Sequence, residues 1–261
     1  MTSSPHAIDV GPASPRAMLA PASESLAAPR FLTARWLRLV MVNFEVESAI
    51  LQGCVPAGTE LDSWNGRHFV SMVGFRFTDT RLLGFPVPLH RHFLEVNLRF
   101  YVRRIVEGEE RRGVVFLKEL VPRRALAWVA RAVYNENYVA TAMGSRDSGN
   151  EIEYWWMHRA NRHRLGITVE RDSYQPAPDS EERFITEHYW GYSRQRDGAT
   201  MEYRVEHPVW KVWRGTACTF DCDVRSLYGP EFEEPLRRPP SSCFLADGSD
   251  IVVRRGVRLR R

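Results

Sequence analysis

Phe93 to Arg103 reads Phe-Leu-Glu-Val-Asn-Leu-Arg-Phe-Tyr-Val-Arg, and every second residue carries a group able to do chemistry. Glu95, Asn97, Arg99 and Tyr101 supply an acid, an amide, a cation and a phenol, while Leu94, Val96, Leu98, Phe100 and Val102 fill the positions between. Strict alternation over this length predicts a β-strand with two unlike faces. Glu95 suits proton transfer, Arg99 suits holding an anion, and Asn97 and Tyr101 suit orienting a bound molecule. Along a strand Glu95 and Arg99 stand about 13 Å apart, so they flank a ligand rather than pair with each other. Inside a walled cavity an acid without a partner tends to keep its proton, because desolvation disfavours the charge. Against bulk water the same stripe is an ordinary solvated face of an antiparallel sheet.

Other clusters are weaker. His90-Arg91-His92, with Glu95 beyond, resembles the opening of a cupin metal site, but the spacing is one residue short and polar loop histidines fit better. His158 and His163 straddle a turn expected at Ala160-Asn161, and His207, before Pro208, reads as structural near a strand end. Cys54, Cys218, Cys222 and Cys243 lack the second close pair of a zinc site and read as reduced thiols of a cytoplasmic protein. We therefore expect no metal and no cofactor.

The elements that must position the stripe follow from pattern. Residues 1 to 30, rich in Ala, Pro and Ser, read as a disordered tail, and residues 31 to 261 as a single domain. Trp36 to Phe44 is a strand. Glu45 to Val55 is a short helix with Val46, Ala49 and Ile50 inward. Thr59–Asp62 and His68–Phe77 are predicted to form a hairpin across Asn65-Gly66, and Asp79 to Arg91 is a loop. After the central strand and a charged turn at Glu107 to Arg112, Gly113 to Val121 is a strand. There Val114, Phe116 and Lys118 share one face, and Val115, Leu117 and Glu119 the other. Arg123 to Asn137 is a helix opened by Pro122. Further strands are expected at 138–143, 151–158, 164–170, 189–194, 200–205 and 216–224, with a short helix at 180–188 capped by Ser180. An Asp247-Gly248 turn leads into a last strand, 251–259. Many strands and few helices predict an α+β, mostly antiparallel fold, a barrel or a curved sheet.

Composition sets limits. The net charge is +4, but acidic residues are interspersed throughout, so no basic stripe for nucleic acid emerges. Only Lys118 and Lys211 are lysines. No apolar run approaches the roughly 20 residues of a membrane helix, and the N-terminus lacks the basic start and apolar core of a secretory signal. A soluble cytoplasmic protein with no membrane partner is expected.

Several segments in order resemble the YqjF-like family, a domain of unknown function. They are Phe31-Leu-Thr-Ala-Arg35-Trp36, Leu61-Asp62-Ser-Trp64-Asn-Gly66, Val70-Ser-Met-Val-Gly-Phe75, the stretch from Phe93 to Val102, Gly113-Val-Val-Phe-Leu and Tyr138-Val-Ala-Thr-Ala-Met. That family is similar to acetoacetate decarboxylase, which implies a cone-shaped β-barrel with an internal pocket and points to a homo-oligomer. The resemblance turns the stripe inward, makes Glu95 the counterpart of a pocket glutamate, and offers Arg35 as the counterpart of an early arginine. The decarboxylase nucleophile belongs to a lysine pair in a stretch reading Arg-Glu-Leu, a few residues, then Pro-Lys-Lys. Here Lys118-Glu119-Leu120-Val121-Pro122-Arg123-Arg124 stands instead. Arginine stays protonated and forms no Schiff base. Arg123 and Arg124 can still hold a carboxylate, and Lys118 can act only if its amine reaches the cavity.

The expectation is a pocket for a small anionic or oxygen-rich molecule, with acid–base chemistry at Glu95. The alternatives are a binding protein without turnover, or an interaction module whose strand face is solvated.

Overall fold

The computed structural model describes residues 28–87, 90–122 and 137–259. The tail up to residue 27, the helix expected from Arg123, and Arg123 and Arg124 themselves lie outside the described residues.

The central strand, β5 (Phe93–Val106), sits in the middle of a mostly antiparallel assembly. It pairs with β3 (His68–Leu82) on one side and β6 (Glu109–Val121) on the other. Beyond β3 lies β1 (Arg30–Val46), then β14 (Ser242–Arg254). Beyond β6 lie β11 (Trp190–Arg194), which is parallel to it, and β12 (Thr200–Glu206). Val205 and Glu206 of β12 then pair with Val253 and Val252 of β14, the strand already reached through β1. Short strands β2 (Glu60–Leu61), β4 (Phe85–Pro86), β7 (Tyr138–Ala140) and β15 (Val257–Leu259) extend its margins. From β14 the ladder also continues outward through β13 (Val212–Asp221), β10 (Asn161–Val169), β9 (Glu151–His158) and β8 (Met143–Asp147).

Among the described residues helices are few and short: α1 (Ser48–Gln52), α2 (Glu181–Thr186), α3 (Val224–Leu227) and α4 (Glu233–Arg237), with a 3₁₀ turn at Pro230–Phe232. Ser180 caps α2 as expected, its hydroxyl accepting from the Arg183 amide.

This arrangement buries both faces of β5. Val96, Leu98, Phe100 and Val102 join a core with Tyr154, Trp156, Leu165 and Ile167 of β9 and β10. Gly74 of β3 permits the close approach: a Cβ there would lie 2.7 Å from the Tyr154 ring. Tyr101, on the other face, belongs to a second core with Phe75, Phe77, Phe184 and Trp210.

Several local expectations change. Asn65 and Gly66 do form a left-handed turn, at φ 51° and 77°. Yet β2 pairs with β5, and only the Trp64–Arg67 bridge closes the turn. Turn chemistry fixed the reversal, while the partner of Glu60–Leu61 was a long-range choice. The supposed loop at 79–91 contains a second hairpin, β3 to β4, through Leu83 (φ 51°) and Gly84 (φ 86°). In α1 the buried residue is Leu51, and Ala49 is exposed, because the helix is shorter and starts later than its pattern suggested. Gly248 (φ 83°) lies inside β14, its Cα side pressed against the Trp36 carbonyl, and does not end a strand.

Candidate functional site

Glu95, Asn97, Arg99 and Tyr101 are all buried, with exposures of 2, 2, 9 and 1%. The polar face of β5 therefore looks into protein. Glu95, Asn97 and Arg99 line a cavity of about 230 Å³ whose remaining wall is largely aromatic, including Trp36, Phe75, Phe77, Phe93 and Phe116. Tyr101 is not part of that wall. It lies below it, its hydroxyl 2.6 Å from Ser71 Oγ, which donates to Asn43 Oδ1 at 2.6 Å.

The first three residues form a graded polar floor. Asn97 Nδ2 donates to Glu95 Oε1 at 2.8 Å, and Tyr138 donates to Glu95 Oε2 at 3.3 Å. Such bonds offset part of the cost of burying a carboxyl group. Arg99 Nη2 donates to the Ile185 carbonyl at 3.2 Å, and its guanidinium stands 5.6 Å from the Tyr101 ring centre. Arg99 Nε, Asn97 Oδ1 and Thr80 Oγ1 are buried and have no hydrogen-bond partner among the described residues.

Lys118 is not in this cavity. Its amine bonds the Leu227 carbonyl and stands 5.7 Å from the Tyr228 ring, in the layer on the far side of β5. Burial lowers its pKa, but it does so on the wrong face. A β-bulge is the cause. The β5–β6 register pairs Leu98 with Lys118 but Arg99 with Phe116, so Leu117 is an inserted residue. An extra residue reverses the alternation beyond it. Val114 and Phe116 share a face, as expected, and that face lines the cavity, but after the bulge Glu119 takes the inward position that Lys118 would have held. Glu119 is 1% exposed and pairs across the ladder with Asn97, which makes it the diagonal neighbour of Glu95. Diagonal residues stand about 7–8 Å apart. Lys211, the other lysine, is exposed and lies outside the cavity wall.

Arg35 is also elsewhere. Trp36 lines the cavity, so its neighbour Arg35 points outward, where it is exposed and meets Asp250 at 3.1 Å. The early-arginine correspondence fails on strand parity.

Three histidines reach the cavity wall: His90, His188 and His207. His92 is exposed, and no group of three metal-ligating side chains gathers among the described residues. His207 stacks on Trp210 at 4.1 Å, and burial holds its pKa down at about 4. His188 follows α2. Its Nε2 stands 3.1 Å from Asp62 Oδ2, which also accepts from Arg112 Nε at 2.7 Å. Burial pushes the Asp62 carboxyl up, but the bonds and charges of His188 and Arg112 together outweigh it and hold the group at about 2. Burial pulls His188 down to about 4, with Arg112 and Arg99 adding to the fall and Asp62 opposing it.

Pattern reading overlooked Glu119, His188 and Thr80. Glu119 could be found only through the bulge, and His188 only through the docking of α2. Asp62 had a local signal, since it sits in the Leu61-Asp62-Ser-Trp64 segment beside the Asn65-Gly66 turn.

Residues 33–250 match the DUF2071 family model, described as an uncharacterized conserved protein. The chain belongs to the DUF2071 family. A relative, the uncharacterized protein YqjF of Bacillus subtilis (strain 168), is 29% identical over 177 residues, covering 66% of this chain and 72% of that protein. Among solved structures, acetoacetate decarboxylase from Legionella pneumophila superposes with a TM-score of 0.61 at 12% identity, covering 95% of this chain and 98% of the other. The enduracididine biosynthesis enzyme MppR, complexed with pyruvate, gives 0.56 at 16% identity, covering 96% of each chain. At these identities the likeness establishes for this DUF2071 chain a fold similar to acetoacetate decarboxylase. The cysteines are free thiols, and no described helix is long and apolar enough to cross a membrane.

Proposed function

We propose that the strand ring from β1 through β3, β5, β6, β11, β12 and β14 is the cone-shaped barrel expected from the family resemblance, and that its interior receives a small anionic or oxygen-rich organic molecule. One observation carries this reading. Three polar side chains of one rigid strand are buried at a cavity whose remaining wall is mostly aliphatic and aromatic. Accurate sites are built on such elements, and ligand pockets combine an apolar wall with a few convergent polar groups. Arg99 holds the anion. Glu95 exchanges a proton with the ligand, and Glu119 is the second carboxyl, placed to take up or return it. Asn97 fixes the Glu95 carboxyl in place.

The relatives support a small oxo acid as the kind of molecule. One is an acetoacetate decarboxylase, and another was solved with pyruvate bound. A Schiff base is not part of the proposal, because neither lysine of the sequence belongs to the cavity wall. That same observation favours the second reading, a binding protein with no turnover.

The test is proton exchange. Panels of 2-oxo and 3-oxo acids are incubated with the protein in D₂O, and loss of the C–H signal beside the carbonyl is followed by proton NMR. The wild type is expected to accelerate exchange. Glu95→Gln is expected to lose at least about a hundredfold of that rate, the lower end of what general acid–base groups contribute, while still binding the acid. Binding without exchange in the wild type selects the second reading. Exchange that survives Glu95→Gln removes Glu95 as the proton carrier.

A further inference from the structure

The cavity wall holds more recognition chemistry than an anion needs. Arg99 Nε is a buried donor, Asn97 Oδ1 a buried acceptor, Thr80 Oγ1 either, and His188 Nδ1 is likewise buried with no hydrogen-bond partner among the described residues. All four side chains are at least nine-tenths buried and belong to the cavity wall.

The tautomer of His188 follows from its partner. Asp62 is ionised above about pH 2, so it accepts, and Nε2 must carry the proton. A neutral imidazole with Nε2–H keeps its lone pair on Nδ1. The ring is held from three sides, by Asp62 and by Tyr101 and Phe184 at 4.6 and 5.1 Å. Asp62 is fixed in turn by Arg112 and by the Ser63 amide at 2.8 Å. His188 therefore presents an acceptor of fixed direction. The Arg99 guanidinium, also against the Tyr101 ring (5.6 Å, with His188 at 4.6 Å), is near enough for its charge to lower the His188 pKa.

Resting on the anion pocket proposed above, we propose that, beside oxo acids, the pocket takes 2-hydroxy carboxylic acids with an apolar tail, and that His188, positioned by Asp62, is the residue that selects the hydroxyl. The carboxylate meets Arg99. The hydroxyl on the adjoining carbon donates to His188 Nδ1 and accepts from Thr80 Oγ1. The tail lies among Phe75, Phe77 and Phe116. A site that buries acceptors for a hydroxyl discriminates against the analogue lacking it, because the acceptors are then left unpaired. The cavity of about 230 Å³ has room for a small organic acid.

The experiment compares matched acids by isothermal titration calorimetry: mandelate against phenylacetate, and 2-hydroxy-4-methylpentanoate against 4-methylpentanoate. The wild type is expected to favour each hydroxy acid by about tenfold or more. His188→Phe, which keeps a ring beside Tyr101 and Phe184, is expected to bring each pair within about twofold. Equal binding of each pair by the wild type overturns this inference and leaves the anion pocket standing. A preference that survives in His188→Phe overturns the role of His188. If none of the four acids binds, the inference and the pocket reading fall together. Should the variant not fold, ¹⁵N NMR of the wild-type histidines decides the tautomer: an Nε2-protonated His188 is expected, and an Nδ1-protonated one contradicts the proposal.

Discussion

On one side of β5, Val96, Leu98, Phe100 and Val102 meet β9 and β10 in an apolar core, and these four residues are without exposure. On the other side Glu95, Asn97 and Arg99 are also buried, yet they face a cavity, and Asn97 Oδ1 and Arg99 Nε have no hydrogen-bond partner among the described residues. Similar burial thus serves two ends. Apolar burial adds stability roughly in proportion to area. Polar burial costs stability unless it is compensated, so an imperfectly compensated polar wall marks a place where binding, rather than folding, supplies the missing bonds.

The sharpest way to break this comparison is to exchange the consequences of the two faces. Leu98→Ala on the apolar side is expected to cost about 2–5 kcal/mol of unfolding free energy in urea melts, with ligand affinity of the folded fraction unchanged. A matching loss of affinity would show that the faces are not separable. On the cavity side, pH should reveal the cost of keeping His188 neutral. Its folded value is about 4, and the unfolded chain takes up the proton near 6.5. Between these values the unfolded state binds more protons. Stability is therefore complete above about pH 6.5 and falls as pH drops toward 4, by on the order of 3 kcal/mol for this one group. Asp62 adds a further fall below about 3.8, toward 2. Denaturant midpoints at pH 7, 5.5 and 4.5 check this, and a flat profile would remove the buried neutral histidine. The smallest effect is expected from Lys118→Met. It removes a half-buried amine on the apolar side, so exchange and ligand affinity should stay within about twofold and stability within about 1 kcal/mol.

Much of this contrast was legible before any coordinates. The alternation from Phe93 to Val102 identified both faces, and β9 matched its predicted span, Glu151–His158, to the residue. What escaped was anything decided by a single inserted residue or a long-range choice. Leu117 changes parity within β6, so Glu119 and not Lys118 faces the cavity. Alternation has period two, and one bulge inverts every assignment past it. Arg35 failed more simply, because resemblance suggested a role that the parity of Trp36 forbids. The Asp62–His188 contact joins residues 126 apart, and no local pattern encodes such a meeting. The helices α3 and α4 are too short for a periodic signal.

The central claim is that the polar face of β5 is the wall of a ligand pocket. Anomalous diffraction from crystals soaked in 3-bromophenylacetate tests it directly, since the bromine marks the tail independently of the rest of the map. The expected result is a bromine peak among Phe75, Phe77 and Phe116, with the carboxylate in hydrogen-bond contact with Arg99. Bromine bound only on the outer surface, with Glu95 and Arg99 reaching open solvent, would contradict the account.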